Sequence, residues 1–439
     1  MLLTQTRVFC PECGLSHDGE IVVRDGAVYG ITHCAVATRE HLISSNAELY
    51  LLLRGRSTVD PAAPVRSGLK HFINFIEITN ACNFRCAICV AHEPGEEGDH
   101  FLPAGEVVRR AEAARRGGAR ILHLIGGEPT LHPDLEAILE RLARMRLSVA
   151  IISNGYLLGR DPELARRLKR AGLSRVCLQF DSLDRATLHK LQRDRLPEKN
   201  AAIRNILAAG LNIGFNCIVT RDNLAELPRL LDHHLRLGRG LRNMMFTSAA
   251  PSGRFELARD EGVDREEMIT ALLGAGPRYH FGVDDIFPLP TYHPWGLEVH
   301  PDCGVNLVLA RTPDGIVPLN RFIDLPALYR RLAGVGDGEG FYPRHIRPAL
   351  HALAAARRGR RLETLKLALR MLLDRPDVSL INVGIADYRA VMFLDEQRLR
   401  RCSSVSHTST GPVKNCMYYF GGPRHPDSRV NEIKRRRPL

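Results

Sequence analysis

The sequence lacks the features that mark membrane-spanning and secreted chains. No apolar run in its 439 residues is long enough to cross a bilayer, and the opening residues Met1–Thr6 do not begin a signal peptide. Internal repeats and low-complexity tracts are absent. Aromatic residues make up only 6%, and none is interleaved with the basic runs at 357–361 and 434–437, which argues against nucleic-acid binding. These absences predict a globular, cytoplasmic protein.

The sequence does contain an excess of positive charge and many cysteines. Its length exceeds the size at which a single core stops growing, so we expect two or three domains. The formal net charge of +12 comes largely from arginine; it favours anionic partners, or it records an arginine-rich proteome. Eleven cysteines in a chain without a secretion signal indicate metal binding more than disulfides.

Three of these cysteines, Cys82, Cys86 and Cys89, are the most informative feature. They lie within eight residues, so all three can turn toward one point on a short loop. Three thiolates are one fewer than the four ligands of a closed iron–sulfur or zinc site, which leaves one metal position open for another ligand. At this point a structural zinc loop, or thiols that never meet, remain alternatives.

The chain around this loop alternates between strand and helix patterns. We expect strands at 75–78, 120–125, 149–152, 175–180, 211–219 and 243–246, with helices between them. These repeats predict an α/β fold with an open, partial (β/α)6 barrel. Because functional groups collect where the strands of such barrels end, the loops after these strands form the candidate site.

Glycine-rich and polar loops follow the strands in order. The run Gly126, Gly127, Glu128 and Pro129 ends the second strand; its glycines allow close approach to the backbone, and Glu128 can accept from a cationic amine. The loops after the later strands offer further polar side chains: Ser153, Asn154, Gln179, Asp181 and, as a weaker candidate, Asn216.

The C-x3-C-x2-C loop, followed in order by Gly-Gly-Glu-Pro and Ser-Asn, resembles the radical S-adenosylmethionine (SAM) superfamily. The resemblance implies that the three cysteines hold a [4Fe–4S] cluster whose open iron chelates SAM. One electron from the cluster would then cleave SAM to a 5′-deoxyadenosyl radical, which abstracts hydrogen from an unactivated carbon. The cofactors supply this chemistry, so no catalytic carboxylate is named.

The same resemblance assigns roles to the loops. It places Glu128 and its neighbours at the methionine amine of SAM, and Ser153 and Asn154 near the ribose and carboxylate. Ile88 departs from the pattern, because the superfamily often has an aromatic residue there. A packing change at this position need not disturb the cluster.

The first 65 residues predict a metal-binding ribbon. Cys10 and Cys13 form a C-x2-C knuckle, a hairpin follows, and Cys34 comes directly after it. A second knuckle would place a ligand at position 37, where Ala37 stands. His17 or His33 can substitute as the fourth ligand of a mononuclear iron or zinc ion, or the site is degenerate.

The C-terminal third, from 281 to 439, resembles the radical SAM group that contains archaeal tetraether lipid synthase and enzymes proposed to methylate a pterin precursor. In that group additional cysteines hold auxiliary iron centres. If the cysteines of this chain have the same role, Cys303, Cys402 and Cys416 would hold an auxiliary [4Fe–4S] cluster whose fourth ligand is unassigned. The alternative is that they are core residues. Cys177 and Cys217 lie within barrel strands, where a buried, inert thiol is expected.

The predicted organisation is therefore a ribbon and linker (1–65), a radical SAM barrel (66–280) and a C-terminal domain (281–439). The main functional prediction is a radical SAM enzyme that modifies an unactivated carbon of a lipid or isoprenoid chain. The alternative is a methylase or modifier of a pterin-like heterocycle or natural product. A non-enzymatic metal-binding module that holds nucleic acid is disfavoured by the ordered loops.

The expected partners follow from these readings. A small-molecule or lipid substrate and a low-potential electron donor, such as flavodoxin or ferredoxin, are implied by the resemblance. A basic, amphipathic helical stretch at about 344–373, broken near Gly359, either packs on the barrel with a solvated basic face or rests on anionic lipid headgroups.

Overall fold

The computed structural model describes residues 1–11, 13–34, 38–57, 59–60, 73–92, 98–257, 262–288, 299–333, 346–373, 375, 377–388, 392–402 and 404–420. Its strands are β1 (Leu2–Phe9), β2 (Ser16–Arg24), β3 (Ala27–His33), β4 (Thr38–Ser44), β5 (Ile73–Thr79), β6 (Ile88–Cys89), β7 (Ile121–Gly126), β8 (Ser148–Ser153), β9 (Leu173–Gln179), β10 (Asn212–Val219), β11 (Leu241–Ser248), β12 (Arg254–Phe255), β13 (Ile286–Pro288), β14 (Val305–Thr312), β15 (Gly315–Pro318), β16 (Ser379–Ala386), β17 (Leu394–Asp395), β18 (Ser404–His407) and β19 (Pro412–Lys414).

Helices alternate with the barrel strands and cover their outer face, and further helices accompany the N-terminal and C-terminal strands. They are α1 (Ala47–Gly55), α2 (Ala104–Arg116), α3 (Leu135–Arg144), α4 (Tyr156–Arg160), α5 (Pro162–Arg170), α6 (Arg185–Lys190), α7 (Leu196–Ala208), α8 (Leu227–Leu235), α9 (Arg265–Leu273), α10 (Gly276–Tyr279), α11 (Leu325–Ala333), α12 (Ile346–Ala354), α13 (Arg361–Leu372), α14 (Glu396–Arg400) and α15 (Asn415–Phe420). Among the described residues, none of these helices combines the length and hydropathy needed to cross a bilayer.

A mostly parallel sheet forms the centre of the molecule. Its strands follow the order β13-β14-β16-β11-β10-β9-β8-β7-β5-β18-β19, with β15 beside β14. All neighbours from β18 to β16 run parallel. The six strands predicted from the sequence are β5 and β7 to β11, so the predicted strand–helix alternation is confirmed.

The two faces of this sheet differ in chemistry. On the outer face, apolar residues of the strands pack against the covering helices, as Leu122 and Ile151 do with Leu139 of α3. Alternate residues of the same strands point to the opposite, inner face, because side chains of a strand alternate between faces. The outer face therefore supplies the main hydrophobic core, and the inner face is left to line the barrel.

Strands from the C-terminal third extend the barrel sheet at both edges. At one edge β16 pairs in parallel with β11 and antiparallel with β14. At the other, β18 pairs in parallel with β5, matching Ser404 with Ile73. This part of the chain thus contributes to the barrel wall; the division into domains at about 65 and 280 stays a prediction.

The N-terminal residues form a second, antiparallel sheet in the order β17-β1-β2-β3-β4. Its core includes Val8, Ile21, Tyr50 and Phe393, the last from the C-terminal third. Gly30 of β3 leaves room for the Phe393 ring, since a Cβ there would lie 2.6 Å from the ring. The two ends of the chain therefore share one small core.

The basic stretch predicted at 344–373 forms two helices. α12 and α13 are separated by residues 355–360, and Gly359 has a left-handed φ of +83°. A left-handed residue stops a helix, and glycine adopts this conformation without a Cβ penalty. The break expected near Gly359 is present; residues 344 and 345 lie outside the described residues.

Removing the Phe393 side chain tests the shared core. We expect Phe393→Ala to lower the free energy of unfolding by about 3–5 kcal/mol, because it leaves a cavity beneath Gly30. Leu52→Ala, on an exposed position of α1, is the control. Urea unfolding of the two variants compares them; equal midpoints would contradict a shared core.

Candidate functional site

The three-cysteine loop leaves the carboxyl end of β5 and returns through β6. Its last residues, Ile88 and Cys89, pair with Phe255 and Arg254 of β12. Cys86 is buried, Cys89 is half-buried and Cys82 is exposed. Desolvation of its sulfur, with smaller effects of Glu128 and the other two thiols, raises the pKa of Cys82 to about 12.

The glycine-rich loop after β7 packs directly on the cysteine loop. Gly126 has a φ of +129°, and a Cβ on Gly127 would lie 2.1 Å from the carbonyl oxygen of Ala81. The amide of Gly127 donates to the Thr79 carbonyl at 2.7 Å, and that of Glu128 to Ala81 at 2.7 Å. Only glycine fits so close a contact between the two loops.

The carboxylate of Glu128 is fully buried and connects the loops. Its Oε1 accepts from Ser153 Oγ at 2.9 Å and from both the backbone and the hydroxyl of Thr130. Its Oε2 accepts from the backbone amide of Asn154 at 2.7 Å. Burial raises the pKa of Glu128, while these hydrogen bonds act to lower it. Among the described residues, these hydrogen-bond partners belong to the protein itself, and contact with a ligand amine stays a prediction.

Asn154 links the third barrel loop to the cysteines. Its Nδ2 donates to Asn83 Oδ1 at 2.8 Å, inside the three-cysteine loop. Its Oδ1 accepts from the amide of Tyr156, whose ring contacts Phe84 edge-on. Asn154 therefore fixes the cysteine loop against the end of β8.

Gln179, at the end of β9, is held by a buried lysine. Lys199 Nζ donates to Gln179 Oε1 at 2.8 Å and to the Gln179 carbonyl at 2.6 Å. It also lies 3.4 Å from the Asn154 carbonyl. Burial lowers the pKa of Lys199 to about 8. Two predicted site residues are thus joined by a cation at the mouth of the barrel.

Asp181 forms a buried ion pair with Arg193. Arg193 Nη1 lies 3.0 Å from Asp181 Oδ2, and its Nη2 donates to the Ile88 carbonyl at 2.8 Å. Burial opposes ionisation of Arg193, but the Asp181 carboxylate and the Cys86 thiol raise its pKa above the usual range. Asp181 therefore acts on the cysteine loop through Arg193.

Asn216 and Pro129 complete the predicted set. Asn216 pairs with Gln179 across β9 and β10, so both occupy the same face of the sheet. Pro129 is buried and begins a single helical turn after Glu128. The structure therefore brings the predicted loop residues together at one edge of the barrel.

Lys199 and Arg193 were missed by the sequence reasoning. Lys199 shares the spacing of Ala202, Ile203 and Ile206 on the buried face of α7, and this spacing is a readable signal. Arg193 lies in a turn after α6, and nothing in the local sequence distinguishes it from the other arginines.

These residues fit a cluster that three cysteines hold. Each cysteine of such a cluster binds a different iron, so the sulfurs need not converge as tightly as around a single ion. The amide of Glu128, the side chain of Asn154 and the guanidinium of Arg193 each donate a hydrogen bond to this loop. The thiol set and its rigid support therefore match an open-sited [4Fe–4S] cluster.

A second cysteine set lies at one end of the N-terminal sheet. The sulfurs of Cys10, Cys13 and Cys34 all lie within 4.8 Å of one another. His17 Nε2 lies 2.9 Å from Cys13 Sγ, whereas the side chain of His33 lies 4.0 Å from a glutamate. Three thiols and an imidazole are a donor set for zinc or mononuclear iron, and His17 is the better candidate for the fourth ligand.

The three C-terminal cysteines lie near one another; Cys402 is buried, and Cys303 and Cys416 are half-buried. The neighbouring Cys416 thiol lowers the pKa of Cys402, and the same interaction raises the pKa of Cys416. Burial raises the pKa of Cys303 to about 12. The charge of Arg398 acts to lower this pKa, and the Cys402 thiol acts to raise it. Whether they hold an auxiliary cluster stays a prediction. Cys177 and Cys217 are buried in β9 and β10, and burial raises the pKa of both thiols.

Comparisons with known proteins agree with this geometry. Residues 76–234 match the sequence model of the Radical SAM superfamily. The "Probable GTP 3′,8-cyclase" of Saccharolobus solfataricus is 33% identical over 197 residues, which are 44% of this chain and 62% of that protein. The GTP 3′,8-cyclase of Rhodococcus opacus is 34% identical over 201 residues, which are 45% of this chain and 55% of that protein.

The matched region thus spans less than two thirds of the length of these curated relatives. Among solved structures, Streptococcus suis SuiB bound to S-adenosylmethionine matches with a TM-score of 0.41 and 15% identity. That match covers 54% of this chain and 60% of the SuiB chain.

A substitution at Gly127 tests the contact between the loops. Gly127→Ala would force the Ala81 carbonyl away, so we expect less iron per chain after anaerobic reconstitution. Gly105→Ala is the control, because nothing lies within 4 Å of a Cβ at that position. Iron analysis and the visible absorbance of both variants give the answer; equal iron contents would show that the contact is dispensable.

The N-terminal site predicts one further metal ion per chain. We expect Cys13→Ser to lose about one zinc or iron per chain while the barrel cluster is retained, because one ion is shared by this ligand set. Cys177→Ser, in a barrel strand, serves as the control. Metal analysis by mass spectrometry measures both, and an unchanged metal content in Cys13→Ser would refute the site.

The open-sited cysteine loop, the glycine loop packed on it and the sequence match to residues 76–234 lead to the same conclusion. Residues 76–234, which hold these two loops and most of the barrel strands, therefore form a region of the radical SAM type.

Proposed function

We propose that this radical SAM enzyme modifies a polar, anionic heterocycle of the purine-nucleotide or pterin class. The observation that carries the proposal is the chemistry of the inner face of the barrel, which we call the polar lumen. Its residues are His123, Arg175, Gln179, Asn243, Asn306 and Asn382.

Strand register supports the shared orientation of these residues. His123 pairs with Ala150, and Ala150 pairs with Arg175. Asn243 pairs with Asn382, and directly paired residues of neighbouring strands point to the same side of a sheet.

Glycines leave space for the side chains of this face. A Cβ on Gly214 would lie 2.4 Å from Asn243 Oδ1. A Cβ on Gly384 would lie 3.2 Å from Asn306 Oδ1 and 2.5 Å from Met245 Sδ. The amides therefore lie over the sheet surface, inside the barrel.

Several polar atoms of the lumen have no protein partner. Among the described residues, the buried atoms without a hydrogen bond include His123 Nδ1, Gln179 Nε2, Asn306 Oδ1 and Asn382 Nδ2. Burial and the nearby Arg175 lower the pKa of His123 to about 3, so its imidazole is neutral. Each unsatisfied buried group costs about 1–3 kcal/mol, which a polar ligand would recover.

Arg175 supplies a positive charge to the same space. Its Nη1 donates to Asn243 Oδ1 at 3.1 Å, and no carboxylate of the described residues pairs with it. A guanidinium without an acidic partner is suited to a phosphate or carboxylate of a ligand. The substrate is therefore expected to carry an anionic group.

The lumen fits an alkyl chain poorly. A lipid or isoprenoid chain has no groups for the unpaired amides or for Arg175, so binding it would leave them unsatisfied. The names of the matched GTP 3′,8-cyclases agree with a nitrogen heterocycle as substrate. We therefore favour the heterocycle alternative over the lipid reading.

In this proposal the chain's own residues hold and orient the reactants. Cys82, Cys86 and Cys89 bind the cluster, which, when bound, supplies the electron that cleaves SAM. The predicted contacts of SAM are Gly126, Gly127, Glu128, Pro129, Ser153, Asn154, Gln179, Asp181 and Asn216. To these we add Lys199, whose ammonium group lies between Gln179 and Asn154 and suits the SAM carboxylate.

The remaining cysteines belong to the same proposal. Cys303, Cys402 and Cys416 would hold an auxiliary cluster, supported by their mutual proximity and by the buried Arg398 beside them. A flavodoxin- or ferredoxin-type protein would deliver the electrons.

Arg175 provides the test. Reconstituted protein with reductant and SAM is expected to form 5′-deoxyadenosine faster with a member of a panel of purine nucleotides and pterins than with a neutral isoprenoid alcohol. Arg175→Gln should lose this stimulation because the anion loses its partner, while the slow cleavage of SAM without substrate persists.

Arg204→Gln, on the exposed face of α7, is the matched control and should behave as the unmodified protein. Stimulation by the isoprenoid alcohol alone, or an unaltered response in Arg175→Gln, would contradict the proposed substrate class.

A further inference from the structure

Helix α13 carries an apolar face that points away from the protein. Five leucines of and next to this helix are between 38% and 71% exposed: Leu362, Leu365, Leu369, Leu372 and Leu373. At about 100° per residue, these positions fall within one third of the helix circumference. A continuous leucine face in water is uncommon in monomeric proteins and marks a contact surface.

The exposure of these leucines is a consequence of how the helix is anchored. The opposite face holds Thr364 and Leu367, both buried. Thr364 Oγ1 lies 3.1 Å from the Phe322 carbonyl, and Leu367 packs in a core with Phe287 and Leu325. The helix is therefore fixed to the body of the protein by one face and presents the leucines with the other.

Cations lie on both borders of the leucine face. Arg361 borders it on one side and Lys366 on the other, both exposed, and neither pairs with a carboxylate of the described residues. Arg360 and Arg370, farther round the helix, are paired with Glu363 and Asp377. The free charges beside the leucines are therefore positive.

We propose that α13 docks on an anionic bilayer, with its leucines at the boundary of headgroups and acyl chains and Arg361 and Lys366 on the lipid phosphates. An apolar face bordered by cations is the pattern of helices that lie in the membrane plane. With 12 residues the helix is about 18 Å long, too short to span a hydrocarbon core of about 30 Å. It rests on the membrane without crossing it.

The neighbouring helix extends the surface. Leu350 of α12 is 52% exposed, and α12 packs beside α13. The net charge of +12 adds a long-range attraction to an anionic surface. This placement does not depend on which substrate the barrel takes.

Vesicle sedimentation tests the proposal. Cluster-loaded, full-length protein is mixed with phosphatidylcholine vesicles that do or do not contain phosphatidylglycerol, at low and high salt. We expect binding to the anionic vesicles at low salt that weakens at high salt. The Leu365→Ser/Leu369→Ser double variant should bind at least about tenfold more weakly. It lacks the apolar groups that these leucines would bury in the bilayer.

Further variants separate the contribution of the cations to vesicle binding from that of the leucines. Arg361→Glu/Lys366→Glu should lose the preference for anionic vesicles, and Leu52→Ser, an exposed leucine on α1, should bind as the unmodified protein. Circular dichroism and iron content establish that each variant is folded and loaded.

Three outcomes would overturn the proposal. They are absence of binding to anionic vesicles at low salt, binding that the double leucine variant retains, and a dimer in gel filtration that this variant dissociates. The last result would assign the leucine face to a second copy of the chain.

Discussion

The buried carboxylate of Glu128 is the interaction on which the barrel mouth depends. It accepts from Thr130, just after the glycine loop, and from Ser153 and Asn154 at the end of β8. Asn154 in turn holds the three-cysteine loop through Asn83. A buried carboxylate is stable only when its oxygens are hydrogen-bonded, so these loops must assemble together. The glycines make this possible, because a Cβ on Gly127 would separate the loops.

Much of this arrangement could be predicted from the sequence because it is local. Each barrel strand and the loop after it are adjacent in the chain, so the order of the cysteine, glycine and Ser153–Asn154 loops is readable. Arg193 could not be found this way, since its partners Asp181 and Ile88 come from other loops. The pairing of β18 with β5 was equally hidden, because it joins distant parts of the chain.

The two faces of the barrel sheet differ in the side chains they carry, and so in what they can bind. The outer face provides stability through apolar packing, whereas the lumen keeps His123, Arg175 and several amides at a cost in stability that a ligand can offset. Apolar contact surface is found instead on α13, whose exposed leucines lie opposite the side that packs on the protein through Leu367. A polar substrate inside and a lipid surface outside are therefore compatible in one molecule.

Electron paramagnetic resonance of the reduced, reconstituted protein, recorded before and after adding SAM, asks whether Cys82, Cys86 and Cys89 hold a cluster with one open iron. We expect SAM to change the g values of the cluster signal, and Cys82→Ala to lack this response. A fully loaded cluster whose spectrum does not respond to SAM would rule out an open iron.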